Sequence, residues 1–442
     1  MKFSTLSEAI SYLNKFQFHG FRLGLERIQM ALDKLGAPQL SYNSIHIAGS
    51  NGKGSVCAAT ASILKESGLK VGLYTSPHLL RLNERFQVNL KEISDEDLKI
   101  LIGEIASLVE AGFELSYFEF TTAMAFLYFK EMAVDIAVIE TGLGGRLDAT
   151  NVILPKVCAI TNISLEHKAY LGDTIEKIAY EKAGIIKEGV PVVTGQLKSP
   201  EKEVIKEVAN KKNAKIKMLG SDFYAENFSI SSQKFDYKAH DYCLKDISFG
   251  LFGKHQIENA AVAITLCREL KNSGFKITDK PIKKGLKITS WPGRSELLKG
   301  VFYAFLEGAH NEAGLKVLLE QIKFLEKVLK IKKKILLWAC SNEGGDKDPF
   351  LMLKNINHLF DKIIITEPKG PRKPVSIEEW KQIKLNFPVE FQKDFYRAID
   401  KLKNGFLDNE DLLVVAGSLY LVGPARAYLL KRGWRLHPIE KL

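Results

Sequence analysis

The seven residues Gly49-Ser50-Asn51-Gly52-Lys53-Gly54-Ser55 have the composition of a phosphate cradle. Glycines let a backbone approach phosphate oxygens, N–H groups at a helix start donate to them, and Lys53 adds a mobile positive charge. The common phosphate-loop pattern is G-x-x-x-x-G-K-[ST]. Here Gly52 and Lys53 keep their places, but Gly54 follows the lysine, the hydroxyl comes one residue later at Ser55, and the earlier glycine is Gly49. Three more residues have types and positions suited to metal or phosphate chemistry. Glu140 ends the apolar run 134–139. A carboxylate at the C-terminal end of a strand can hold Mg2+, a hard cation, or pair with a local arginine such as Arg146. His167 follows the run 157–162, and alone such a histidine reads as a structural or surface group. Lys182 continues the series Ile175, Ile178, Ala179, spaced i, i+3, i+4, i+7, so it lies on the inward face of a helix. A bare ammonium there is costly. Either the lysine is salt-bridged or snorkels, or it deprotonates and reacts with CO2 to give a carbamate that can bind Mg2+.

The elements that must position these residues alternate between strand-like and helix-like patterns, which predicts an α/β fold with a largely parallel sheet. Residues 44–48 read as a strand entering the glycine loop, and 56–67 as a helix stopped by Gly68. Residues 70–74, 134–140, 157–162 and 190–194 read as further strands. Asp173 and Glu176 form a capping-box-like start for the helix that carries Lys182, and Gly184 ends it. Residues 224–252 read as small strands and turns, and 255–270 as a helix. Trp291-Pro292-Gly293 reads as a linker, since Pro and Gly break both element types. Beyond it the alternation restarts, with strands expected at 302–306, 334–339, 362–366 and 412–416. Two domains are expected, 1–293 and 294–442.

Composition bounds the function. At 442 residues, 46% apolar and 26% charged, the chain has the make-up of a soluble globular protein with a large core. No apolar run approaches the roughly 20 residues that span a bilayer, and the start MKFSTLSEAISYL lacks the apolar segment of a signal peptide. The five cysteines are scattered, without a CxxC pair. A reduced, cytoplasmic protein without a membrane partner is expected. The net charge of +11 comes from lysines spread along the chain and densest at 327–334. No aromatic-interleaved basic motif accompanies them, so they read as a solvated surface and not as a nucleic-acid site.

The loop 49–55, followed by Tyr74-Thr75-Ser76-Pro77-His78 and Asn83-Glu84-Arg85, resembles the folylpolyglutamate synthase/dihydrofolate synthase family, within the Mur-ligase superfamily. The resemblance continues through the block 140–151 (ETGLGGRLDATN), Glu181-Lys182-Ala183-Gly184-Ile185-Ile186, His255-Gln256, Gly308-Ala309-His310-Asn311 and 417–423 (GSLYLVG), covering nearly the whole chain in order. It implies an α/β, P-loop Mur-ligase-type central domain with a mostly parallel sheet, followed by a smaller C-terminal Rossmann-like α/β domain that contributes glutamate ligation.

The same resemblance implies the site. ATP would meet Asn51, Gly52, Lys53, Gly54, Ser55, Asn259, Arg294 and Glu307, the last standing where the family has aspartate. Two Mg2+ ions would be held by Ser76, Glu140, His167 and Lys182 as its CO2-derived carbamate. Lys53, Lys182, Arg294 and His310 would be catalytic. Leu23, Gly24, Leu25, Ser116, Phe118, Arg146, Leu147 and Asp148 would face the pterin or folate. Arg22 precedes that first segment where some relatives carry an acid, Glu312 stands where proline is common, and Asp346 and Asp348 are acidic loop residues. The implied reaction is ATP-dependent addition of L-glutamate to dihydropteroate, giving dihydrofolate, and to the γ-carboxylate of reduced folates, through an acyl phosphate. A monomer acting on small molecules is expected. The alternatives are a monofunctional folylpolyglutamate synthase, another Mur-type ligase such as a peptidoglycan-precursor ligase, or a nucleotide-dependent switch. The segment Leu23–Arg27 and the block 140–151 speak against the peptidoglycan ligase, and the joint presence of Glu140, His167 and Lys182 against the switch.

Overall fold

The computed structural model describes the chain except residues 20–22, 230–231, 342–347, 369, 371–372, 384, 386 and 438–442. Arg22 and Asp346 lie outside the described residues. Among the described residues the strands form three sheets.

The first sheet contains β1 (Asn43–Ala48), β2 (Val71–Tyr74), β3 (Phe86–Val88), β4 (Lys91–Glu92), β5 (Ile136–Glu140), β6 (Val157–Ile160), β7 (Val192–Thr194) and β8 (Ile216–Met218), in the order β4-β3-β2-β5-β1-β6-β7-β8. The strands β2, β5, β1, β6, β7 and β8 run parallel, and β3 and β4 turn back antiparallel at one edge. The central strands are rich in Ile, Val and Ala and are buried along their length, as parallel strands covered on both faces must be. One face packs the Lys53–Glu66 and Lys254–Asn272 helices, with Ile63, Leu64, Ile257 and Ile264 in one apolar cluster with Ile45 and Val138. The other packs the Leu6–Asn14, Glu26–Lys34, Asp95–Glu110 and Tyr117–Glu131 helices, through residues such as Leu32, Ile102 and Phe126.

The region expected as small strands is an antiparallel sheet of β9 (Phe223–Ser229), β10 (Lys234–Ala239) and β11 (Tyr242–Ser248), whose Phe235, Tyr237 and Ile247 join the first cluster. The third sheet contains β12 (Glu296–Lys299), β13 (Tyr303–Glu307), β14 (Lys334–Trp338), β15 (Lys362–Ile365), β16 (Val389–Phe391), β17 (Leu412–Ala416) and β18 (Arg435–Leu436), in the order β16-β15-β14-β17-β13-β12-β18. Its strands all follow the Trp291-Pro292-Gly293 turn. The four strands expected here are present, but the sheet is longer than expected. β12 and β18 add an antiparallel edge that short, mixed sequences such as Glu296-Leu297-Leu298-Lys299 do not announce.

Two local expectations are corrected. The helix after the glycine loop starts at Lys53, because Gly52, at φ +85°, already serves as its N-cap. The helix carrying Lys182 spans Ile175–Ala183 and is capped by Thr174, whose side chain accepts from Lys177 N, not by Asp173, which pairs with the Lys177 ammonium at 2.8 Å.

Candidate active site

The functional residues gather because of strand order. β1 lies between β5 and β6, in parallel register with Ile47 opposite Glu140 and Ala48 opposite Ile160. Three neighbouring strands therefore end at one edge, where the connection from β1 runs to β2 on one side and that from β5 crosses to β6 on the other, which opens a crevice. β1 delivers the glycine loop there, β5 delivers Glu140, and β6 delivers Thr161 and Asn162.

That last pair fixes the loop. Asn51 N donates to Asn162 Oδ1 at 2.9 Å, and Thr161 Oγ1 and Asn162 Nδ2 donate to Asn51 O at 2.6 and 3.0 Å. Ser164 N donates to Ser50 Oγ at 2.9 Å. The glycines are demanded by closeness: a Cβ on Gly49 would lie 1.9 Å from Thr161 Oγ1 and one on Gly54 2.8 Å from Trp291 Nε1. The departure from the common pattern at position 54 thus has a steric reason, an indole arriving from the distant linker. Lys53 Nζ folds back and donates to Gly49 O at 2.8 Å.

A cleft of about 440 Å³ opens beside this loop. Its walls include Lys53, Ser55, Ser76, Glu140, His167 and Asn259 on the side of the first sheet, and Arg294, Glu307, His310 and Ser418 on the side of the third. Asn311 Nδ2 donates to Asn51 Oδ1 across it at 3.1 Å. Glu140 is 5% exposed. Burial raises its carboxyl, opposed by Lys53, by the Ser76 N–H that donates to Oε2 at 3.1 Å, and by Arg294 and Arg85. Asn259 Nδ2 donates to Gln256 Oε1 at 3.1 Å, and its Oδ1 faces Gly52. Burial, with the Arg294 charge second, lowers His255 to about 4, so it stands as neutral imidazole.

Glu307 is buried and occupied. Its Oε2 accepts from Ser295 N at 2.7 Å and from Ser295 Oγ at 2.8 Å. The carboxylate retained from the family pattern therefore anchors the linker. Arg294 lies between this anchor and the cleft, with NH1 close against Gly308. Among the described residues its guanidinium makes no hydrogen bond or ion pair, which leaves a planar fork open to an anion.

Lys182 is 2% exposed and its ammonium sits 2.8 Å from Glu166 Oε1. Burial pushes the ammonium down and Glu166 acts against it. Burial alone would raise the Glu166 carboxyl, but the Lys182 and Lys53 charges outweigh it and hold it at about 2. This contact matches the salt-bridged of the two options open in the sequence. Glu166 was not singled out from the sequence; its only signal was a carboxylate beside His167, just past a predicted strand.

The residues expected to face a pterin do not share this cleft. Asp148 is 4% exposed and accepts from the N–H groups of Gly142, Leu143 and Thr150, which shapes the segment after Glu140. Thr150 in turn lies 2.8 Å from Nε2 of the fully buried His46. Ser116 is the buried cap of the Tyr117–Glu131 helix, in a capping box with Glu119. Glu119 pairs with Arg27 at 3.0 Å and so ties that helix to the segment after Leu23, Gly24 and Leu25. Phe118 stands over Gly142, where a Cβ would meet the ring at 2.4 Å, and Gly142 lines the cleft. Arg146 is exposed and pairs with Glu181 at 2.8 Å, and Leu147 beside it is half-buried.

Among the described residues no group of three or more His, Cys, Asp or Glu is close enough to hold a metal unaided. Ser76, Glu140 and His167 line the cleft, with Lys182 behind Glu166. One buried carboxylate with a hydroxyl beside it suits Mg2+, which takes few protein oxygens and completes its shell with phosphate and water.

A sequence model of the family described as the Mur ligase middle domain matches residues 47–267. The dihydrofolate synthase/folylpolyglutamate synthase of Bacillus subtilis is 34% identical over 438 residues, 97% of this chain and 100% of its own. Among solved structures, the folylpolyglutamate synthase of Thermotoga maritima matches with a TM-score of 0.81 at 37% identity, over 99% of each chain. E. coli FolC, solved with DHPP and ADP, matches with a TM-score of 0.85 at 28% identity, over 97% of this chain and 98% of its own. No helix among the described residues is long and apolar enough to cross a membrane. With its phosphate loop, its buried strand-end carboxylate and a cleft walled by two sheets, the chain belongs to the folylpolyglutamate synthase/dihydrofolate synthase family of Mur ligases, which are ATP-dependent ligases.

Proposed function

We propose that this protein adds L-glutamate to dihydropteroate, giving dihydrofolate, and to the γ-carboxylate of reduced folates. The observation that carries the reading is convergence: the glycine loop and Glu140 from one sheet face Arg294, His310 and Ser418 from the other across a single cleft. Residues 1–293 serve as the ATP-binding unit and 294–442 as the glutamate-ligase unit. The N–H groups of Asn51 to Ser55 and the Lys53 ammonium receive the ATP phosphates, and Asn259 meets the nucleotide. The substrate carboxylate attacks the γ-phosphorus, ADP leaves, and an acyl phosphate forms. Arg294 and Lys53 balance the charge spread over the transferred oxygens. The glutamate amine then attacks the acyl carbon, the C–N bond forms, and inorganic phosphate leaves. His310 lies on the wall where glutamate enters. Ser76, Glu140, His167 and Lys182, the last as a carbamate, would hold two Mg2+ ions, which supply further charge neutralisation. Leu23 to Leu25, Ser116, Phe118 and the 146–148 segment border the pterin. The enzyme works as a monomer in the cytoplasm.

The test is ADP release by the purified protein with dihydropteroate or tetrahydrofolate as acceptor, each with and without L-glutamate. Release that depends on both partners, with products lengthened by glutamate, is expected. Release stimulated by a UDP-sugar peptide and by neither pteroate compound would overturn the assignment. Turnover of tetrahydrofolate alone would reduce it to the monofunctional reading.

A further inference from the structure

We infer that the Glu296–Arg426 pair, with its carboxylate buried, is a positioning pair for Arg294. The inference rests on the reading of Arg294 as a contact to the transferred phosphate.

Arg294 sits in the turn that joins the Lys254–Asn272 half of the chain to β12. Its neighbours on both sides have left-handed backbones, Gly293 at φ +72° and Ser295 at φ +50°. The glycine adopts this freely, but for the serine it is strained and persists only where the surroundings enforce it. Three contacts enforce it. Glu307 takes both hydrogen-bond donors of Ser295. Gly308 N donates to Gly293 O at 3.1 Å. Gly293 N donates to Glu296 Oε2 at 3.1 Å. The turn is thus fastened to the third sheet before and after Arg294, and only the arginine side chain is left loose.

The third contact is itself built. Glu296 receives a two-pronged bond from Arg426, Nε to Oε2 at 2.7 Å and NH2 to Oε1 at 2.9 Å. The two side chains are 8% and 18% exposed. The bidentate fork fixes the carboxylate plane, and with it the direction of the oxygen that Gly293 N must meet. Arg426 lies on the Leu419–Lys431 helix, whose first residues, Leu419 and Tyr420, line the cleft with Ser418. Stability alone is a poor reason for such a pair, since buried ion pairs replaced by apolar residues are often as stable. What an apolar pair would lose is the directed acceptor for Gly293.

The test uses the full-length enzyme and the ADP-release assay, with Arg426→Met, Arg294→Ala and the double variant, and thermal melts for each. Arg426→Met is expected to lower kcat about tenfold to a hundredfold, with the KM for ATP changed by less than about twofold. The double variant is expected to be no slower than Arg294→Ala alone, because Arg426 acts only through Arg294. Full kcat in Arg426→Met, or a double variant slowed by the product of the two single effects, overturns the inference. Full kcat in Arg294→Ala overturns the phosphate reading of that arginine, and this inference with it. If Arg426→Met melts below the assay temperature, Arg426→Lys replaces it. That variant keeps the charge and loses the fork, so the same fall in kcat at constant KM is expected, and wild-type kcat overturns the inference.

Discussion

Gly54→Ala tests why the phosphate loop departs from the common pattern. Residue 54 lies in the first turn of the Lys53–Glu66 helix, where exchange of Gly for Ala ordinarily stabilises by roughly 0.5–1 kcal/mol. Here the new Cβ would stand 2.8 Å from Trp291 Nε1 and 3.1 and 3.2 Å from Cε2 and Cζ2. Three atoms of one rigid ring cannot all be cleared by a side-chain wag. The indole is half-buried and packs on the core cluster beneath the helix, so the linker or the loop must shift. Overpacking of this kind costs about 1–3 kcal/mol, which exceeds the helical gain and leaves a net loss of roughly 1–2 kcal/mol. In a Trp291→Ala background the obstacle is gone, and the same exchange should stabilise by its ordinary amount. A double-mutant cycle, read from urea midpoints by circular dichroism without nucleotide, should therefore give a coupling of roughly 2 kcal/mol. If Gly54→Ala is equally stabilising with and without the indole, the steric account of this glycine is wrong.

Three other outcomes are expected. Lys182→Ala should reduce turnover by about 10²–10³-fold, with partial recovery when small carboxylic acids are added; full activity without them refutes a metal-ligand role for the carbamate. His46 is held at about 3 by burial, with the Lys187 charge as a second cause. Its unfolded value is near 6.5, so the unfolded chain binds a proton that the folded one refuses. The stability this contributes is complete above about pH 6.5 and is lost as pH falls toward about 3, by up to about 1.4 kcal/mol per unit. His46→Gln should flatten the fall of stability across that window, and an unchanged slope counts against the assignment. Asn311→Ala removes both the bond to Asn51 and the cap that accepts from Gly314 N, and should cost about 1 kcal/mol in unfolding free energy; an unchanged melting profile would show that neither bond matters.

The strand–loop–helix around Gly49–Ser55 was legible because its signals are local: a β-branched run, glycines and a lysine within a few residues. The same holds for Glu140 at a strand end and for the inward face of Lys182. Their partners were not legible. Glu166 meets Lys182 across a loop, and nothing in the order of residues selects it among many carboxylates. Trp291 meets Gly54 only because the Asp279–Ile288 helix packs on the Lys53–Glu66 helix and brings the linker back to its start. Thr161 and Asn162 stitch the loop only because β6 lies beside β1. Asp148 and Ser116, expected to face substrate, also have local structural partners: Ser116 opens a capping box with Glu119, and Asp148 accepts from N–H groups within six residues. Asp173 and Thr174 look alike in the sequence because both residue types cap helices, and the choice turns on backbone angles that the sequence does not carry.

The connection between the two halves has almost no slack. Trp291 is seated on the Lys53–Glu66 helix, and by Gly293 the chain is already fastened to the third sheet. Pro292 alone stands between, exposed, with its φ fixed by its ring. Relative movement of the halves is thus confined to a few torsions about one short axis. The effective concentration of the Arg294 guanidinium at the nucleotide is then set by a single rotation and not by chain statistics. A few glycines inserted at Pro292 would change one regime into the other. The arginine would become a tethered reagent, and its contribution would fall as the tether lengthened.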